Sequence, residues 1–485
     1  MTDATLLMLA QVVEPELTEQ TVALATNPTA GLSIPTLLGL FVVGAVLVLR
    51  ITWRISTVHL ALGFAATAAM WLVGYLAMLE PGLWIGELLF VLMLLVPMLM
   101  GALAQRAGAS ALKSGLVCAF ANLLIIGAFL RDEQNGSRLV PAFYLVGLFV
   151  ALGGLAALGG FFARRARPIT LPATTGLFAL VTALTIFILL ITGGLVTGLE
   201  SGLAVPDWPN SFGHNMLLYP LSEMKGGVFY EHAHRLFGML VGTTSLVLLG
   251  VVFREEQRGG VRALAILLLV IVCVQGTLGG LRVTGSLTSA TSGTELTPST
   301  LLAIVHGMFG QIVFATACVL ACVTSRAWKS ATPVMGINGA SAVRALPIVL
   351  VAGFLVQLFL GASYRHLQTS PTETAAAVHP AWPIWGHIAG AAVMLVLAVG
   401  TGAYVSSRAA ALKPVRILGK GLVHAVGLQI ALGVAALVLI LMRENQAIPA
   451  SEVIVTTMHQ ALGALLLAVA AMLAAWSLRL VAPIV

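Results

Sequence analysis

The chain has 485 residues, of which 59 % are apolar and only 9 % charged, and its mean hydropathy is +1.02. A soluble domain carries about 25 % charged residues, so the composition excludes a soluble globular protein, a disordered chain and a nucleic-acid binder. The net charge of +7 is an excess of the kind that the cytoplasmic loops of a membrane protein carry.

The apolar runs are continuous and reach the ~20 residues a spanning helix needs. They do not show the alternating segments of about ten residues that mark an outer-membrane barrel. The expected fold is therefore an all-α polytopic membrane protein with about 13 spans. The first thirty residues hold Asp3, Glu14, Glu16 and Glu19 and no Lys or Arg. That is neither a secretory signal nor a mitochondrial transit peptide, and it favours a bacterial protein inserted directly into the inner membrane.

Five spans come first, at 33–53, 57–79, 83–104, 112–130 and 140–163. Their polar residues are few: His59, Glu87 and Asn122. Arg164-Arg165-Ala166-Arg167-Pro168 then marks a boundary. It divides an N-terminal five-helix region, 1–168, from two further regions, 169–328 and 329–485. Eight spans follow, at 172–197, 230–252, 262–281, 300–324, 343–364, 384–405, 419–441 and 454–480. Cys118, Cys273, Cys318 and Cys322 all fall inside apolar runs, without metal or disulfide spacing.

Lys and Arg set the orientation. One set of loops holds Arg50, Arg54, Arg106, Lys113, Arg164, Arg165, Arg167, Arg254, Arg258 and Arg262, and continues with Arg326, Lys329, Arg344, Arg408, Lys413, Arg416 and Lys420. The opposite set holds Arg131, Arg138, Lys225, Arg282, Arg365 and Arg443, with Arg235 near a helix end. The rich set is cytoplasmic by the positive-inside rule, which places the N-terminus outside and the C-terminus inside.

A repeat runs through the last eight spans. Gln275 and Gly279, Gln357 and Gly361, and Gln429 and Gly433 share the pattern Gln-x-x-x-Gly. His306, His387 and His459 follow these glutamines by 31, 30 and 30 residues, each opening the next helix. His234 also opens a helix, and both the His234–His306 and His387–His459 spacings are 72 residues. Two four-helix units thus repeat, at about 172–324 and 343–480, each with a histidine in its second and fourth helices. These helices all run from outside to inside, so the histidines share a shallow depth near the outer face. Within a unit the two can face each other as a bis-His haem cage. A lone histidine at a helix end is commonly interfacial, but four in register point to ligation. The glycine is expected to allow close helix contact and the glutamine to hydrogen-bond between helices. His214, His366 and His379 are placed in outer loops and His424 near a cytoplasmic helix end, with ordinary surface or interfacial roles.

The loop after the sixth span runs through Glu200 and Pro206-Asp207-Trp208-Pro209 to Glu231-His232-Ala233-His234-Arg235. Glu231 and His234 are at i and i+3 and share a helix face. A carboxylate there can donate or accept a proton beside a haem. Glu231 and Arg235, at i and i+4, can equally form an ion pair, and spacing alone does not separate the two. The second unit has Ile384 at the position matching Glu231, so the two sites are chemically unequal.

These residues resemble the haem A synthase family over about 172–480. The resemblance is carried by Gly193-Gly194-Leu195-Val196-Thr197, Glu200-Ser201-Gly202-Leu203, Pro206-Asp207-Trp208-Pro209, Glu231, His234 and Arg235, and it continues through Gln275–Gly280, His306, His387 and His459. It implies two pseudo-twofold four-helix bundles. It also implies conversion of haem O to haem A, in which a porphyrin methyl is oxidised to formyl by successive hydroxylations, for haem–copper terminal oxidases. By the same resemblance Glu231 is catalytic, His234 and His306 hold the substrate haem, and His387 and His459 hold a haem b. Implied partners are haem O synthase, oxidase assembly factors, membrane lipid, an electron acceptor or donor that the sequence does not identify, and a further copy of the chain. Two departures stand out. Many members carry a cysteine pair in the first outer loop, where this chain has Val205 and Ser211. The first five spans match no known pattern and lack the Asp-rich motifs of a prenyltransferase, which leaves a scaffold or an assembly surface. The competing reading of the whole chain is a dihaem b-type electron carrier without substrate chemistry. It explains the histidines but not Glu231 or the asymmetry.

Overall fold

A computed structural model describes residues 34–79, 83–125, 139–285, 298–367, 380–443 and 448–482. The acidic N-terminal segment, Arg131, Arg138 and His379 lie outside the described residues.

Helices account for nearly all of the regular structure. α1 is Ile34–Thr52, α2 Thr57–Met78, α3 Trp84–Arg106, α4 Ala111–Ala121, α5 Leu139–Phe162 and α6 Thr174–Gly198. A short antiparallel pair follows, β1 (Asn210–Ser211) with β2 (His214–Asn215). Then come α7 Gly226–Glu255, α8 Gly259–Thr284, α9 Pro298–Thr324, α10 Ala340–His366, α11 Ala381–Arg408, α12 Lys413–Met442 and α13 Ala450–Leu480. Each of the thirteen expected spans overlaps one of these helices, although α4 ends at Ala121 where the expected span runs to 130, and 126–130 lie outside the described residues. Among the described residues, eleven helices are long and apolar enough to cross a membrane. The protein is an all-α polytopic membrane protein.

In a bilayer core every backbone N–H and C=O must be satisfied within the chain, which selects helices. Hydroxyls follow the same rule. Thr182, Thr185 and Thr244 donate to the carbonyls of Phe178, Val181 and Leu240 at 3.0, 2.9 and 2.6 Å, one turn back on their own helices. Several helices run past the apolar windows that identify them. α7 begins at Gly226 rather than 230, and α12 at Lys413 rather than 419. Hydropathy detects the lipid-facing length, whereas helical hydrogen bonding continues into the polar turns at either end.

The packing forms three groups. α6 contacts α7 and α9, and α8 contacts α7 and α9, which closes one four-helix ring; α10–α13 close a second ring in the same order. The histidine-bearing helices of each ring, α7 with α9 and α11 with α13, are therefore diagonal partners. The rings abut through α6 and α9 on one side and α10 and α13 on the other. In the third group α2, α3, α4 and α5 pack together, and α1 and α2 lie against α7. α3 and α5 touch backbone to backbone: a Cβ at Gly101 would stand 2.0 Å from the Ala156 carbonyl, and one at Gly159 only 1.9 Å from that of Met98. Glycine is what permits this crossing.

The N-terminal helices grip α7 at both ends. Tyr75 stacks on Phe229 at 5.2 Å, and Trp71 meets Phe237 edge-on at 5.6 Å. The Trp71 indole N–H donates to Asn122 Oδ1 at 2.9 Å, so the polar Asn122 of the sequence serves as an internal tie. His59 does likewise, accepting from the Ser110 N–H at 3.1 Å. At the arginine-rich end, Arg254 donates to the carbonyls of Trp53 and Ile55 at 2.8 and 2.9 Å. Glu255 accepts from Thr57, and from Thr175 at 2.8 Å. Between α7 and α8 the buried Glu256 accepts from Arg258 at 2.6 Å and pairs with Lys329 at 3.3 Å. The Arg258 hydrogen bonds hold its carboxyl down to about 2.

Candidate functional site

His234, His306, His387 and His459 are the ninth, ninth, seventh and tenth residues of their helices. That is two to three turns in, about a turn deeper than the apolar windows imply, because the helices start earlier. All four sit toward the end of the rings opposite the arginine-rich loops.

Each imidazole rests on a glycine of the preceding helix. A Cβ at Gly193, Gly279 or Gly433 would stand 2.9 Å from Cε1 of His234, His306 or His459, and one at Gly361 would stand 3.0 Å from that of His387. The glycine of the Gln-x-x-x-Gly pattern is thus the seat of the ring. Its glutamine bonds across helices as expected: Gln275, Gln357 and Gln429 Nε2 donate to the backbone carbonyls of His306, His387 and His459 at 2.9, 2.6 and 3.1 Å. The fourth seat, Gly193, escapes the pattern because Leu189 stands where the glutamine would be. The sequence signal was a glycine four residues after an apolar residue, with the spacing to its histidine stretched by the long loop.

In two of the four histidines the second ring nitrogen is also held. His387 Nδ1 lies 3.0 Å from the Gln357 carbonyl, to which it can only donate. Thr192 spends its proton on the Leu189 carbonyl at 2.9 Å, so its oxygen accepts from His234 Nδ1 at 3.1 Å. Nδ1 of His306 and of His459 is buried and makes no hydrogen bond, so only His234 and His387 have that nitrogen held. A proton fixed on Nδ1 leaves Nε2 with its lone pair, the form in which a histidine binds a metal. In His306 and His459 a glutamine amide approaches that nitrogen at 3.4 and 3.3 Å.

The His387 and His459 rings are 6.1 Å apart between centroids and inclined at 73°. Two imidazoles sharing one metal at ~2 Å from each nitrogen would stand about 6 Å apart, the ring radius being included. The separation of the pair is that of two imidazoles held on one metal.

Around His234 the surroundings differ. Glu231 and Arg235 form a buried ion pair, Arg235 Nε to Glu231 Oε1 at 3.1 Å, with side chains 7 % and 8 % exposed. Arg235 also donates to the carbonyls of Val205, Asp207 and Asn210 at 2.7, 2.7 and 3.1 Å. The i,i+4 pair that spacing allowed is thus present, and its arginine ties down the 199–225 loop. Asp207 caps the loop further, accepting from the Phe212 and Gly213 N–H groups at 2.7 and 2.8 Å. Val205 and Ser211 are fully buried; all four cysteines are free, and Cys273 is exposed.

The structure adds three residues that sequence reasoning passed over. Trp208 lies flat against Gly280, where a Cβ would meet its indole at 2.3 Å, one residue beyond the seat of His306. His232 is completely buried, with Nδ1 3.0 Å from Ser211 Oγ and its ring 4.9 Å from that of Tyr219. Burial pushes the Tyr219 hydroxyl up to about 12, so it stays neutral beside that ring. His366, expected in a loop, is the last residue of α10 and lines a cleft with Arg282 and Arg365, because α10 outruns its apolar window. His214 is in β2, edge-on to Tyr219 at 5.9 Å, and His424 lies within α12.

Residues 176–472 match the family model of cytochrome oxidase assembly proteins named COX15-CtaA. The chain belongs to that family. The match begins within α6 and ends within α13, so it takes in both rings and all four seated histidines and leaves α1–α5 outside. Membership places the protein in cytochrome oxidase assembly with a haem A synthase-like role, and it implies haem. None of the curated proteins compared matches the chain significantly.

Proposed function

We propose that the protein is a haem A synthase, oxidising a methyl group of haem O to formyl through successive hydroxylations. The observation that carries this reading is an inequality. Four histidines share one kind of seat, yet His234 alone among them has a buried carboxylate, Glu231, three residues before it on its helix; the matching residue of the second ring is Ile384, and that ring's buried Glu452 stands seven residues before His459. In this reading residues 169–328 form the substrate unit, with His234 and His306 as axial ligands of haem O. Residues 329–485 form the haem b unit, with His387 and His459 as ligands. Residues 1–168 are a scaffold that holds α7.

A bound haem would supply the redox chemistry. The protein supplies the rest. The Gly193 and Gly279 seats fix the two imidazoles, and the Thr192 bond fixes the tautomer of His234. Glu231 holds or moves a proton beside the reacting edge. Arg235 keeps that carboxylate oriented while closing the 199–225 loop over the ring and excluding water.

The charge asymmetry supports placement in a bacterial inner membrane, N-terminus outside and C-terminus cytoplasmic, with the haem sites near the outer face. A topology reporter at Lys413 is expected to read cytoplasmic and one at Asp207 periplasmic; the reverse would move both haems to the inner side. The product would pass to haem–copper oxidases, with haem O synthase and assembly factors as partners and an electron acceptor or donor of unidentified class.

The deciding experiment is expression in a host that makes haem O, followed by chromatography of the extracted haems. Haem A is expected to appear only with the protein. A dihaem spectrum without any formyl haem would establish the electron-carrier reading instead.

A further inference from the structure

Where the two rings meet, at the histidine end, lies a cleft of about 290 Å³. It is lined by Thr197, Glu200 and Gly202 of the first unit, by Arg282 of α8, and by Arg365 and His366 at the end of α10. Small-ligand pockets span roughly 300–1,000 Å³, so the cleft suits small side groups and not a macrocycle. We propose that this cleft seats the carboxylate side chains of the porphyrin substrate, so that the second unit completes the first unit's site. The proposal rests on the reading of the first ring as the substrate site.

Three observations carry it. The first is position. Arg282 stands three residues beyond Gly279, the seat of His306, and so about 4.5 Å further along α8. His366 comes from the other unit and yet lies in the electrostatic range of both His306 and Arg282. A macrocycle held by His306 would have its edge at this cleft.

The second is charge. The cleft lining holds two guanidinium groups and one carboxylate, Glu200, while Glu231 acts on Arg282 and Glu452 on Arg365 from outside it. The Glu200 carboxylate is 64 % exposed and 4.0 Å from Arg365. A solvated pair at this distance is worth little and yields readily to a better partner. Glu231 and Glu452 are each shared with a second arginine, Arg235 at 3.1 Å and Arg443 at 3.5 Å, so these four arginines outnumber the three carboxylates.

The third is preorganisation. Arg365 donates through Nη2 to the Thr197 carbonyl, which fixes its fork across the junction between the units. The Arg282 guanidinium lies against Gly202, where a Cβ would stand 2.9 Å away. A planar guanidinium held in place is the group that binds carboxylates in a bidentate manner.

The test is a Soret titration of the purified full chain with two probes, protohaem and its dimethyl ester, with His306→Ala identifying the first-unit signal. The diacid is expected to bind that site ~10-fold or more tighter than the diester. Arg365→Leu and Arg282→Leu should bring the diacid down to the diester's affinity while leaving diester binding unchanged, and Arg365→Lys should retain part of the preference. Equal affinities in the wild type, or arginine variants that weaken both probes alike, would overturn the carboxylate seat alone. A titration unaffected by His306→Ala would sink the ligand assignment and this inference with it. Competition by inorganic phosphate or by phosphatidylglycerol nanodiscs, without any diacid preference, would assign the cleft to a phosphate group and overturn the proposal.

Discussion

Glu231→Gln is expected to keep haem bound and to cut haem A formation by ~10²–10⁴-fold, the usual contribution of a positioned proton donor or base. Glutamine is nearly isosteric and can still accept from Arg235 Nε, now 3.1 Å from Glu231. Arg235 also keeps its three carbonyl partners in the loop, so the loop should stay anchored and the site closed. Removing one charge of a buried pair costs up to ~3–5 kcal/mol when the other is left uncompensated. The variant's melting temperature should therefore be measured beside its haem content. The signature of lost chemistry is a stable protein that carries haem O or a hydroxylated intermediate and no haem A. Near-normal haem A output would reduce Glu231 to the structural partner of Arg235. Loss of haem together with stability would say the same for a different reason.

His387→Ala or His459→Ala should remove the low-spin bis-His signature of the second unit and about half of the total bound haem. The rings stand 6.1 Å apart on glycine seats, so either deletion opens one axial position and leaves an apolar gap against its glycine. Pyridine haemochrome quantification and the low-temperature spectrum read this directly. The first unit should keep its haem, because its seats belong to different helices. If both variants retain full haem content and an unaltered low-spin spectrum, the His387–His459 pairing is wrong.

The candidate site was legible in part. Histidines at 72-residue spacing and glutamine–glycine pairs at a common offset survive in the chain as a repeat, and the structure turns each pair into a ring seat. The fourth seat was hidden because Leu189 replaces the glutamine; there the ring is held instead by Thr192, whose hydroxyl oxygen accepts from His234 Nδ1. Nothing in a linear pattern announces that exchange. Arg282, Arg365 and His366 were read singly, as loop charges or interfacial residues, because their common cleft forms only where two units separated by many residues meet.

Local chemistry decided the rest of what could be read in one dimension. Lipid leaves a backbone no choice but to satisfy itself, so long apolar runs determined thirteen helices, their order and their alternating direction before any contact was known. The period of the repeat determined the two rings, because equal spacing puts equal residues at equal depth. Contact between distant helices decided what spacing cannot. It chose the diagonal pairing of the histidine helices and buried Glu231 against Arg235. It also laid Trp208 on Gly280 and docked the N-terminal helices through α2, which packs on α6 by Phe64 and on α7 by Tyr75 and Trp71. Helix association in lipid has no hydrophobic driving force of its own; it is settled by close fit at small residues and by a few polar bonds. Those depend on which faces meet, and only the folded chain brings the faces together.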